Sequence, residues 1–320
     1  MKSVGKNTDD PREVPSGRLK AVIEKSAIEF TYICDNDILR NGNIKAPGMK
    51  HLFSLIFFLI TALFLQAAMV DTLVVYSNSM KKNIKTCVVT PDNYTRSGKS
   101  FPVLYLLHGY SDNYATWVLD FPQVGHYADE YNMIIVGADG GYSSWYFDSP
   151  VDSTMKYETY ISGELVNFID KNFNTVKSPE GRAISGLSMG GHGALYLAIR
   201  HQDIFGAAGS MSGGVDFRPF PENWDLAKRL GPKAQYPENW DKNTVLSQLY
   251  LIDNDKPALI IDCGTDDFFI NVNRELHQEL LYFNIKHDYI ERPGGHTLEY
   301  WINALQYQVL FFDNYFRKNF

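Results

Sequence analysis

From about residue 70 the chain alternates between two hydrophobic rhythms. Short β-branched or aromatic runs predict strands: DTLVVYS (71–77), IKTCVVT (84–90), PVLYLLHG (102–109), MIIVGADG (133–140), AISG (183–186), ALIIDCG (258–264) and HDYIERPGG (287–295). Between them YISGELVNFIDKNF (160–173), HGALYLAIRH (192–201), NVNRELHQELLYF (271–283) and TLEYWINALQYQVLFFDNYF (297–316) carry apolar residues at helical spacing. Runs such as 102–109 are apolar without alternation, as in a strand covered on both faces. Strands alternating with helices predict an α/β fold, a mostly parallel sheet with helices on both sides. In such sheets chemistry gathers beyond the carboxyl ends of the strands.

Two stretches break the rhythm. Residues 213–256 are rich in Pro, Trp and Asn and contain the pentapeptide PENWD twice, at 221–225 and 237–241. Two copies are too few for a repeat architecture. A small helical insertion is expected here, with Asn and Asp supplying caps, placed where it could roof a pocket. Near the N-terminus, LFSLIFFLITALFL (52–65) follows Met49-Lys50-His51 and precedes Gln66-Ala67-Ala68. Its length and flanks predict a secretory signal peptide over 49–68 rather than a stable membrane span, with a signal anchor as the competing reading. The polar residues 1–48 then read as an over-long start, and 69–320 as one exported domain, secreted or periplasmic.

Composition narrows the classes. The chain has 320 residues, 45% of them hydrophobic, which is ample for a large core. A net charge of −7 and the absence of any Lys/Arg-rich run argue against a nucleic-acid partner. Of three cysteines, Cys34 lies in the N-terminal extension, while Cys87 and Cys263 sit at strand positions and read as buried free thiols. No Cys/His cluster has zinc spacing, and neither a metal nor another cofactor is expected.

The candidate chemistry begins at GRAISGLSMGGHG (181–193). Gly186-Leu187-Ser188-Met189-Gly190 matches G-x-S-x-G, in which a strained strand-to-helix turn thrusts the serine hydroxyl outward and small neighbours make room for it. A serine needs a positioned base, and in this fold the chain order is Ser, acid, His. His296, in RPGGHTLEYW (292–301), is the base candidate; His277 and His287 read as structural. For the acid, Asp267 in DCGTDDFF (262–269) is preferred over Asp262 and Asp266, because it lies far enough beyond the strand to turn back. Activity is expected to fall as His296 becomes protonated. The oxyanion needs two N–H donors. Met189 offers one at a helix start, and LLHGYSDNYATW (106–117) the other, with Tyr110 preferred to Gly109 and the His108 side chain bracing the loop. Aromatics in the same loops, Trp117, Trp145 and Tyr146 with Asp148 beside them, are the candidates for substrate contact.

Together HGYSDNYATW, SWYFDSP, SGLSMGGHGAL, CGTDDFF and PGGHTLEYW resemble the putative-esterase branch of the α/β-hydrolases, over roughly residues 72–318. That branch takes in esterase D (S-formylglutathione hydrolase), tributyrin and feruloyl esterases, and mycolyltransferases. The resemblance implies an α/β-hydrolase fold, a triad of Ser188, Asp267 and His296, and an oxyanion hole at Tyr110 and Met189. It also implies a small-molecule or polysaccharide-linked ester as substrate. The expected activity is that of a secreted serine carboxylesterase acting on short-chain, acetyl or feruloyl-type esters. Acyl transfer to a sugar hydroxyl is the alternative, and a non-catalytic carbohydrate-binding module the third reading.

Overall fold

The computed structural model describes residues 67–252 and 256–319. The expectations for Cys34, for residues 1–48 and for the signal peptide up to Gln66 therefore lie outside the described residues. Eight strands form one sheet: β1 (Met69–Ser77), β2 (Lys82–Thr90), β3 (Val103–Leu107), β4 (Ile134–Ala138), β5 (Arg182–Leu187), β6 (Ala207–Met211), β7 (Ala258–Gly264) and β8 (His287–Arg292). Their order is β1-β2-β4-β3-β5-β6-β7-β8. β1 and β2 run antiparallel to their neighbours, and the rest of the sheet is parallel. With helices on both faces this is the α/β-hydrolase arrangement.

Alternate side chains of each central strand serve opposite faces. In β3, Val103, Tyr105 and Leu107 enter one apolar core, and Leu104 and Leu106 enter the other. Burying each of these side chains is worth about 1.5–3 kcal/mol. The longer helices are α1 (Val124–Tyr131), α2 (Val166–Asn172), α3 (Met189–Arg200), α4 (Ile270–Tyr282) and α5 (Leu298–Asn319). Helices α2, α3 and α4 pack in the first core, α1 and α5 in the second. A six-residue π-helical turn, Tyr160–Leu165, leads into α2.

One strand has no counterpart among the predicted runs. β6 reads AAGSM and lacks β-branched residues, yet it is wholly buried between β5 and β7. Its small side chains answer to crowding from above: a Cβ on Gly209 would fall on the Gln308 amide of α5. The insertion does hold short helices, Leu226–Leu230 and Pro237–Lys242, followed by a 3-10 stretch over Leu246–Leu251. Neither α-helix has a side-chain cap bond. Asp225 occupies the cap position of the first, but its carboxylate is paired with Lys228 at 2.6 Å.

Candidate active site

β5 runs directly into α3 through Ser188, whose φ of 56° and ψ of −117° place it in a strained region, costing on the order of 1–3 kcal/mol for a side-chain-bearing residue. The turn is gripped from both sides. Its N–H donates to the Met211 carbonyl at 2.9 Å, and its own carbonyl accepts Gly214 N–H at 3.2 Å. No larger neighbour fits: a Cβ on Gly190 would lie 2.1 Å from the Leu107 carbonyl oxygen. The backbone is thus driven into the sheet, and the serine hydroxyl is turned out of it.

His296 and Asp267 reach this hydroxyl from the ends of two other strands. Ser188 Oγ lies 2.9 Å from His296 Nε2, and His296 Nδ1 lies 2.8 Å from Asp267 Oδ2. An ionised carboxylate can only accept, so Nδ1 carries the hydrogen and Nε2 is left to accept the serine proton. Asp267 is 2% exposed and fully engaged, since its other oxygen accepts Phe269 N–H at 2.8 Å. The rival groups are placed differently. Asp266 is exposed, and its N–H goes to the Gly294 carbonyl. Asp262 accepts from Tyr300 OH and Arg292 at 2.5 Å each, while burial raises its pKa. His277 and His287 bond one another at 2.7 Å beside a separate cleft of about 450 Å³.

Donors flank the serine. The Met189 N–H begins α3, where no earlier turn of the helix offers it a carbonyl. The loop after β3 comes alongside, so that a Cβ on Gly109 would lie 3.7 Å from Ser188 Cβ. In that loop Ser111 N–H donates to the Tyr142 carbonyl and Asp112 N–H to the Gly109 carbonyl. Tyr110, half-buried, has its ring edge-on to Tyr142 at 5.0 Å.

Of the four residues expected to touch substrate, three are buried and the fourth borders another cleft. Trp117 and Tyr146 are 0% exposed and Trp145 is 1% exposed, so none forms an open wall. Trp117 packs on Phe121 in the second core. Tyr146 is a wedge: its ring occupies the space that a Cβ on Gly140 or Gly193 would need, and its OH donates to the His108 carbonyl at 3.0 Å. Trp145 packs against His192 and donates its indole N–H to the Trp224 carbonyl at 3.2 Å. Asp148 accepts from Thr159 and borders a different cleft, about 630 Å³, beside the C-terminal end of α3.

Three other aromatics meet the imidazole, namely Phe268, Phe269 (ring to ring at 5.7 Å) and Trp301, and Trp224 reaches it through the two phenylalanines. Phe268, 49% exposed, lies 4.2 Å ring to ring from His296; Trp224 stacks on Phe268 at 5.7 Å; and Trp301 meets His296 edge-on at 4.8 Å. Their signal in the sequence is positional, two phenylalanines directly after Asp267 and a tryptophan five residues after His296. His192, buried just behind the serine, has Nδ1 3.0 Å from the Trp145 carbonyl and Nε2 2.8 Å from the Asn243 carbonyl. Burial pushes its pKa down to about 4. Cys87 and Cys263 are buried and unpaired. Among the described residues no three His, Cys, Asp or Glu side chains converge as metal ligands, and no helix is long and apolar enough to cross a membrane.

Comparison with known proteins points the same way. A family model described as Putative esterase matches residues 77–312. An esterase of Mycobacterium tuberculosis is 32% identical over 236 residues, 66% of this chain and 52% of the relative, so the chain spans about half the length of that protein. A diacylglycerol acyltransferase/mycolyltransferase of Mycobacterium leprae is 30% identical over 260 residues, 73% of this chain and 77% of the relative. A solved structure of a ferulic acid esterase superposes with a TM-score of 0.69 at 28% identity, covering 78% of this chain and 99% of its own.

Proposed function

The chain belongs to the Putative esterase family, and from that premise we propose that it is a serine carboxylesterase working through an acyl-enzyme on Ser188. The observation that carries the reading is the hydrogen-bonded file from Ser188 through His296 to Asp267. Ser188 Oγ attacks the ester carbonyl carbon as its proton passes to His296 Nε2. The Met189 and Tyr110 N–H groups receive the oxyanion, each such donor being worth about 10²–10³ in rate. The tetrahedral intermediate collapses, the ester C–O bond breaks, and the imidazolium gives its proton to the departing alkoxide. Water then repeats the sequence, with His296 as base, and releases the acid and free serine. Asp267 keeps the imidazole in the productive tautomer and balances its transient charge.

The substrates we infer are short-chain, acetyl or feruloyl-type esters, free or carried on a polysaccharide. Phe268 and Trp224 offer an apolar wall beside His296, a role for which the buried Trp117, Trp145 and Tyr146 are unsuited. The similarity to a mycobacterial acyltransferase favours one second reading, delivery of the acyl group to a sugar hydroxyl in place of water. Export completes the proposal, on the strength of the apolar run at 52–65.

Ser188→Ala is expected to cut turnover of nitrophenyl acetate by at least about 10⁴-fold, with an unchanged melting temperature. Retained turnover removes the nucleophile. A panel of acetyl, butyryl and feruloyl esters, run with and without a sugar acceptor, separates the two readings. Free acid as the product in both arms supports hydrolysis, and acylated sugar supports transfer.

A further inference from the structure

Both nitrogens of the His108 imidazole are committed, and neither faces the reacting serine. Nε2 accepts Gly140 N–H at 2.8 Å. In a neutral ring the hydrogen then resides on Nδ1, and Nδ1–H donates to the Gly109 carbonyl at 2.8 Å. The ring is wholly buried, with the Tyr146 ring edge-on at 5.9 Å. The Gly109 carbonyl receives a second donor, Asp112 N–H, at 3.3 Å, a length at which such bonds are weak.

The Gly109 C=O and the Tyr110 N–H belong to one planar trans peptide, in which they point in opposite directions. Whatever pins the carbonyl therefore aims the N–H. Here the carbonyl is pulled towards the imidazole, so the Tyr110 N–H leaves from the other side of a backbone packed against Ser188. The next two N–H groups along the loop, those of Ser111 and Asp112, are spent on the Tyr142 and Gly109 carbonyls.

We propose that His108 is a positioning residue for the reaction: its Nδ1–H holds the Gly109 carbonyl and thereby points the Tyr110 N–H at the developing oxyanion. The imidazole touches neither substrate nor serine. It acts through one peptide plane, and Gly140 acts through it by fixing the tautomer. The proposal rests on the esterase reading above.

Two substitutions separate the two bonds. In His108→Gln the side-chain amide reaches the Nε2 position and can still accept Gly140 N–H, but nothing donates at Nδ1. In His108→Asn the shorter amide offers a donor near Nδ1 and releases Gly140. With nitrophenyl acetate, His108→Gln is expected to lower kcat by about tenfold to a hundredfold with KM little changed, since only a transition-state interaction is misaimed. Affinity for a trifluoromethyl ketone, which adds to Ser188 and places an oxyanion in the same hole, should fall by a similar factor. His108→Asn should recover most of both. Wild-type kcat and ketone affinity in His108→Gln, or equal losses in the two variants, would overturn the proposal. Should neither variant fold, long-range nitrogen–proton spectra of the wild type still decide it: Nδ1–H on His108 supports the assignment and Nε2–H overturns it. A wild type without esterase turnover would instead bring down the functional reading, a result told apart by its independence of position 108.

Discussion

Asp266 and Asp267 are chemically identical and adjacent, yet only one can serve His296. The turn closed by Asp267 N–H onto the Gly264 carbonyl buries the second carboxylate against the imidazole and leaves the first in water. Asp267→Asn is expected to lower kcat by about 10⁴-fold, since the amide would favour the wrong tautomer. Asp266→Asn should stay within about twofold, as exposed substitutions usually do. Steady-state kinetics of the pair decide the matter, and the reverse pattern would move the acid by one residue. The contact of Asp267 with His296 was legible in the sequence because distance beyond a strand end says how far a loop can turn back. Which aromatics meet the substrate was not legible. Trp145 and Phe268 are both aromatics in loops near the serine, and only the packing of His192, Phe217 and Trp224 around Trp145 closes it off from solvent.

Helix α3 is the element on which the serine turn rests, and His192 is where it is tied down. The ring bridges the carbonyls of the Trp145 loop and of Asn243 in the insertion, although a neutral imidazole has one N–H for the two. Burial holds the folded pKa near 4, with the bonds to the Asn243 and Trp145 carbonyls, and then Asp216, pulling the other way. The unfolded chain, with an ordinary pKa of about 6.5, takes up this proton first. The stability gained by keeping the ring neutral is therefore complete above about pH 6.5, drains away as pH falls, and stops draining below about pH 4. The full loss is about 3 kcal/mol. Urea unfolding at pH 7 and 4.5 should show the wild type losing about 2–3 kcal/mol more than His192→Gln; equal losses would refute the account. Elements whose rhythm matched their surroundings could be read in advance, as α3 to α5 were. PENWD shows why others could not. At 221–225 it forms a turn that lays Trp224 on Phe268; at 237–241 it is helical and buries Trp240 completely. The pentapeptide is the same, and its neighbours choose the conformation.

At the scale of the molecule, the groups proposed to react hang from the carboxyl ends of four strands, β3, β5, β7 and β8, all within the compact unit that begins at Ala68. A chain begun at Ala67 is therefore expected to keep the kcat/KM and melting temperature of the longer one, and a loss beyond about twofold would give the first 66 residues a part in the site. The general plan was legible because strand and helix periods differ so sharply. β6 was hidden by the small residues that its crowded position demands. The same plan has a consequence for how the protein is made. Serine and base stand 108 positions apart, and β6, β7 and β8 must all be laid into the sheet before they meet. A polypeptide still leaving the ribosome thus carries a serine hydroxyl without its base, and on the proposed mechanism turnover can begin only once β8 has joined the sheet.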